Sequence, residues 1–103
     1  MVSGKRQYRS RIQIAADILE IAKEGSRKTK IMYQGNLSFD LLQKYVDMLV
    51  NFGLLEVEEK SEGGYIATPK GRQFLEDYRE LQRYSEMFEE KKRTLETSLT
   101  ATR

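Results

Sequence analysis

The sequence predicts a mostly α-helical chain, α+β through one small hairpin, closed by a long C-terminal helix. Three observations carry this. Apolar residues recur at helical spacing in two segments between Ile12 and Phe52; the period changes from 3.6 to 2 after Gly53; beyond Pro69 only Gly71 interrupts a helical pattern. With 103 residues there is room for one domain and an extension, but not for two full cores.

The first helix starts after Ser10, a capping residue, and ends at Gly25. Ile12, Ala15, Ala16, Leu19 and Ala22 mark its apolar stripe, and Ile14, Ile18 and Ile21 broaden it. A short second helix follows, with Thr29 as its expected N-cap and Gly35-Asn36 as its stop. Ser38 caps a third helix from Phe39 to about Phe52, which Gly53 stops. Its apolar set is Leu41, Leu42, Tyr45, Val46, Leu49 and Val50. Leu55-Glu56-Val57-Glu58 then alternates apolar and acidic residues, as a half-buried strand does. Glu62-Gly63-Gly64 is a turn and Tyr65-Ile66-Ala67 the return strand of a hairpin. Thr68-Pro69 places a cap before a proline at the first helical position, a strong helix start.

The last helix runs from Pro69 to about Thr97, which makes it roughly 45 Å long. The preceding domain is too small to cover that length. Phe74, Leu81, Phe88 and Leu95 recur every seven residues, and Tyr78, Tyr84 and Leu99 stand three or four residues from them. Such a seam on a charged helix argues for a coiled-coil homodimer. Reversing one copy sets Arg79 near Glu90, Glu76 near Arg93, Asp77 near Lys92 and Phe74 near Leu95, which favours the antiparallel form; Glu80 near Glu89 is a mismatch.

Composition narrows the function. There is no cysteine, histidine or tryptophan, so thiolate and imidazole chemistry and the commonest metal ligands are gone. The chain is read as a non-enzyme with no cofactor, no metal and no small-molecule substrate. Asp40 and Asp47 imply no catalytic pocket, and Glu86, Glu89 and Glu90 read as a solvated helix face. No apolar stretch is long enough to span a bilayer and the N-terminus lacks an apolar leader core, so no membrane association and a cytoplasmic, chromosome-associated location are expected. The net charge is only +2, but it is unevenly spread. Residues 1–34 hold eight basic and three acidic groups, residues 35–67 two basic and six acidic. A basic front suits a polyanionic partner.

The order helix, short helix, helix, hairpin, helix is that of a winged helix-turn-helix domain. This divides the chain into a basic arm (1–9), a winged-helix domain (10–68) and a dimerisation helix with its tail (69–103). Gln34-Gly35-Asn36-Leu37 forms the short turn, with Leu37 plugging its corner. The third helix is then the recognition helix, whose N-terminal part enters a major groove. If its apolar residues face the core, Asp40, Gln43, Lys44 and Asp47 face outward. Gln43 can read a base edge and Lys44 a phosphate or guanine. Lys28, Thr29 and Lys30 stand at the start of the second helix, where an anion is favoured. Tyr33, Phe39 and Tyr45 read as core aromatics, although Phe39 stands at the front of the recognition helix.

Lys28-Thr29-Lys30-Ile31-Met32-Tyr33, Asn36-Leu37-Ser38-Phe39, Lys44-Tyr45, Gly53-Leu54 and Thr68-Pro69-Lys70-Gly71 resemble the archaeal "10a" family of small winged-helix chromatin proteins. The resemblance spans about residues 10–85 in order and spacing. It implies an elongated homodimer with antiparallel C-terminal helices, binding double-stranded DNA with little sequence preference and organising the chromosome. The DNA-facing positions it implies here are the basic arm (Lys5, Arg6, Arg9, Arg11), Arg27 with Lys28, Thr29 and Lys30, and the recognition-helix start: Ser38, Phe39, Asp40, Gln43 and Lys44. Dimerisation falls to Phe74, Tyr78, Leu81, Tyr84, Phe88 and Leu95.

The hairpin departs from DNA-contacting wings, since it carries Glu56, Glu58, Glu59 and Glu62 against Lys60 alone. Such a wing is expected to stand off a phosphate backbone. Two other functions fit the same elements: a sequence-specific winged-helix transcriptional regulator, and a winged-helix module for protein–protein contact.

Overall fold

The computed structural model describes residues 9–60 and 63–100. Its elements are α1 (Arg11–Ile21), β1 (Ser26–Arg27), α2 (Lys28–Gln34), α3 (Phe39–Asn51), β2 (Leu55–Glu58), β3 (Gly64–Ala67) and α4 (Pro69–Thr100). The winged helix-turn-helix order is therefore present, with a small sheet and a long last helix. Lys5 and Arg6 of the arm and Glu62 of the turn lie outside the described residues.

Local chemistry sets the helix ends. Ser10 accepts from the Gln13 amide while the Gln13 side chain accepts from the Ser10 amide, a reciprocal box that starts α1. Ser38 accepts from Leu41 N at 3.2 Å and starts α3. The Thr68 hydroxyl accepts from Gly71 N at 3.0 Å and donates to the Gly53 carbonyl at 2.6 Å, joining the start of α4 to the end of α3. The cap of α2 differs from the expectation at Thr29. Arg27 is the N-cap residue, with no side-chain cap bond, because β1 carries the chain straight into the helix. Lys28 N is met instead by the Gly63 carbonyl at 3.3 Å.

The core is one cluster. Ile18 and Leu19 of α1, Ile31 of α2, Leu42, Val46 and Leu49 of α3, Leu55 of β2 and Leu75 of α4 are at most 2% exposed. Leu37 is buried at the corner, as expected. Asn36 just before it takes φ 55°, a left-handed turn that asparagine tolerates better than most residues. Ile12, Val50, Tyr33 and Phe39 differ from the expected burial. Ile12 is 47% exposed, because α1 turns its other faces to α3 and α4. Tyr33 (78%) and Phe39 (58%) stand in solvent, and only Tyr45 of the three aromatics is core.

The strands form an antiparallel sheet in the order β1-β3-β2. β3 is central, pairing Ser26 with Tyr65 on one side and Leu55 with Ala67 on the other. In β2 burial covers only the base of the hairpin, while in β3 Gly64 at the tip is buried as well. Leu55 and Ala67 are buried, whereas Val57, two residues further out, is 60% exposed and not half-buried as its alternation suggests.

α4 has 32 residues and is roughly 48 Å long. Gly71 and Leu75 bury its first turns, and Arg79 Nη2 meets Glu20 Oε1 of α1 at 2.8 Å. From Glu80 onward every described residue is exposed. The molecule measures 64 × 31 × 19 Å as a result. Among the described residues no helix is long and apolar enough to cross a membrane.

Candidate nucleic-acid interface

The N-terminal ends of α2 and α3 converge on one surface. The turn Gly35–Leu37 is short, and Leu37 N donates to the Met32 carbonyl at 3.0 Å, which closes the angle between the two helices. Lys28 Nζ sits 5.2 Å from the centroid of the Phe39 ring. That distance lies within the range of a cation–π attraction, about 0.5–1 kcal/mol where water has access. The contact joins the first residue of α2 to the first residue of α3. Thr29 and Lys30 follow in the open on α2, as do Ser38, Asp40 and Lys44 around the start of α3. Arg27 is exposed on β1 immediately before Lys28.

Other expected contact residues are otherwise engaged. Gln43 donates to Asp47 Oδ1 at 2.9 Å along α3, so its amide is held by its own helix. Arg9 Nη1 forms a 2.7 Å ion pair with Asp17, and its Nη2 donates to the Asn36 carbonyl at 3.1 Å. It thereby ties α1 to the helix-turn-helix corner. Arg11 reaches Met48, near the far end of α3 from Phe39, and lines a groove of about 240 Å³ with Ile12, Phe52 and Phe74. The Lys28 amide, bonded to Gly63, is not open to an anion.

The opposite charge lies on the wing. Glu56 and Glu59 are exposed there, with Val57 between the strand's acidic residues. Among the described residues no group of three or more carboxylates is placed to hold a metal ion.

The last surface is α4. Leu81, Tyr84, Phe88 and Leu95 are 51–66% exposed, and Phe74 and Tyr78 are only partly buried at its base. Met87, absent from the sequence-derived seam, is 60% exposed beside Phe88. Ile12 of α1 continues this apolar surface, lining a groove of about 360 Å³ with Tyr78 and Leu81. Exposed apolar side chains in this number along one helix of a monomer mark an interaction surface.

The winged helix-turn-helix family model matches residues 8–86, which covers the domain and the anchored part of α4. The chain belongs to this family. Among solved structures it is similar to Sso10a-2, a DNA-binding protein from Sulfolobus solfataricus, with TM-score 0.77 and 26% identity. That likeness covers 92% of this chain and 100% of the other, so it includes the long helix as well as the winged domain. It supports the small archaeal winged-helix family to which the sequence motifs point. Two uncharacterized proteins of Methanocaldococcus jannaschii are similar in sequence. MJ0287 is 33% identical over 79 residues, 76% of this chain and 78% of its own length. MJ0290 is 37% identical over 74 residues, 71% of this chain but only 34% of its own length. This winged helix thus matches about a third of that larger relative.

Proposed function

We propose that this winged-helix protein binds double-stranded DNA as an antiparallel homodimer and acts as an architectural component of the chromosome. The observation that carries the DNA reading is the basic, exposed surface where α2 and α3 begin, with Lys28 held over Phe39 and Lys30 and Lys44 alongside. Its setting is similar to Sso10a-2, which is itself a DNA-binding protein. The engagement of Gln43 by Asp47 removes a polar base reader from the recognition helix, which supports low sequence preference over specific regulation. Lys28 and Lys30 serve as phosphate contacts. Charge of this kind gives affinity without a code.

The homodimer rests on α4. Its exposed apolar run cannot be covered by the winged domain of the same chain, whose α1 lies beside it only as far as about Glu86. A second α4 laid antiparallel buries Phe88 against Leu81 and Leu95 against Phe74, and places one winged helix at each end of a rod.

Titration of unrelated duplexes at two or more salt concentrations tests the reading. With about three phosphates neutralised per domain, a dimer engaging both ends shows a log–log salt slope of roughly −5. Lys28→Ala with Lys30→Ala flattens the slope and weakens binding to every duplex alike. A double variant that binds as tightly as the parent at both salts overturns the site. A loss confined to one sequence points to the specific regulator instead.

The wing supports a second reading, as a surface for protein–protein contact, because β2 is an edge strand bearing exposed Val57 among glutamates. Glu56→Gln with Glu59→Gln separates the two. DNA affinity stays the same or rises if the wing stands off the backbone. A fall shows that the wing contacts DNA by something other than charge.

A further inference from the structure

We infer that Phe39 reads the C5 methyl group of thymine in the major groove, giving the domain a graded preference for thymine-bearing duplex. The inference rests on the DNA-binding reading above and deepens it.

Phe39 is the first residue of α3, the position of a recognition helix that enters the groove. The residue is 58% exposed, although the buried face of its helix begins three residues later at Leu42. A large aromatic left in water at that place serves no packing in this chain. Two local contacts bear on its position. The Ser38 cap holds the first turn of α3, and the Lys28 ammonium stands over the ring. That ammonium decides how the ring can meet DNA. Insertion between base pairs needs both faces of the ring, and Lys28 takes one of them. The edge and the outer face remain for an apolar contact. On the floor of the major groove the apolar feature is the thymine methyl, and phenylalanine is among the side chains that meet it. The same pairing sends the Lys28 charge toward the phosphates, so one local unit supplies both affinity and a base preference. Thymine methyls occur at every A·T pair, on one strand or the other. Such a contact therefore biases binding toward composition, not toward one site, which suits a protein whose polar reader Gln43 is held by Asp47.

The test compares two duplexes of one sequence, one carrying thymine and the other deoxyuridine at every such position. They share all phosphates and Watson–Crick hydrogen bonds and differ in the C5 methyls alone. The parent protein is expected to bind the thymine duplex about fourfold more tightly per methyl buried. Phe39→Ala binds the two alike, with affinity near that of the parent for the deoxyuridine duplex. Phe39→Leu, still apolar, keeps part of the preference. Lys30→Ala weakens both duplexes by one factor and leaves their ratio intact. Equal binding of both duplexes by the parent overturns the inference while leaving DNA binding in place. A Phe39→Ala variant that keeps the parent's ratio overturns it as well, because the discrimination then comes from elsewhere. If the parent binds neither duplex, it is the DNA-binding reading that falls.

Discussion

Gly71 lies so close to Leu54 that a Cβ added to it would overlap the Leu54 carbonyl oxygen and stand 3.2 Å from Leu19 Cδ2. The first turn of α4 is thus laid directly on the chain entering β2, and the same carbonyl accepts from Thr68 N at 3.1 Å. A glycine in the first turn of a long helix, a weak point on propensity alone, is what permits this approach.

Gly71→Ala is accordingly expected to destabilise the domain, although alanine is the better helix former. Backbone cannot give way as a flexible side chain can, so the overpacking cost is about 1–3 kcal/mol. Urea unfolding measures it, and a midpoint at or above the parent's contradicts the close approach.

Ser26 is expected to behave in the opposite sense. It is 4% exposed, and its hydroxyl has no hydrogen-bond partner among the described residues. Ser26→Ala removes an unmet polar group at the start of the sheet and adds no volume. A gain of about 1 kcal/mol in unfolding free energy is expected, near the low end of the cost of an unpaired buried hydroxyl. A lowered midpoint would reveal a partner for that oxygen.

The apolar run on α4 makes the proposed dimer sensitive to charge. Leu81→Asp with Phe88→Asp puts two carboxylates into the buried seam with nothing to offset them. Sedimentation should then report a monomer, while circular dichroism and the unfolding transition of the winged domain persist, since both residues lie beyond its core. An unchanged dimer would place the contact elsewhere.

Orientation has its own test. A spin label at Thr97→Cys, exposed near the free end of α4, lies far from its counterpart in an antiparallel pair centred between Leu81 and Phe88. With 1.5 Å per residue the separation is roughly 37 Å; in a parallel pair it is about 10 Å. The shorter distance overturns the antiparallel rod.

Much of this architecture is legible in local sequence. Ser10, Ser38 and Thr68-Pro69 announce three helix starts through short-range hydrogen bonding, and the structure places each cap there. Strand β1 is not legible, because two residues carry no alternation and owe their extension to pairing with Tyr65 and Gly64 far along the chain. The missed cap at Arg27 follows from the same pairing. Exposure at Tyr33 escaped for another reason: α2 is seven residues long and buries only Ile31, so apolar content does not say which side faces the core; Phe39 opens α3 nearly a turn before that helix's first buried residue, Leu42. Val57 alternates correctly with Leu55 but lies beyond the reach of the helices that cover the sheet's base. Of the interface, the lysines of α2 are evident as charge in a segment with little core to serve. The Lys28–Phe39 contact spans eleven residues and a turn, and needs the fold.

The salt bridge between Arg79 and Glu20 has a mechanical meaning. Among the described residues it is the last ion pair between α4 and the domain, and lower on the helix Arg72 donates to the Lys23 carbonyl at 2.8 Å. Beyond it some twenty residues project like a lever roughly 30 Å in length. A tilt of about 10° at that fulcrum swings Leu99 by roughly 5 Å, half the diameter of a helix. Two such levers can mesh along their apolar edges only if their fulcrums hold the angle to a few degrees. The aim of each winged head is therefore set where α4 leaves the domain at Arg79, within the same stretch that an antiparallel second copy would cover.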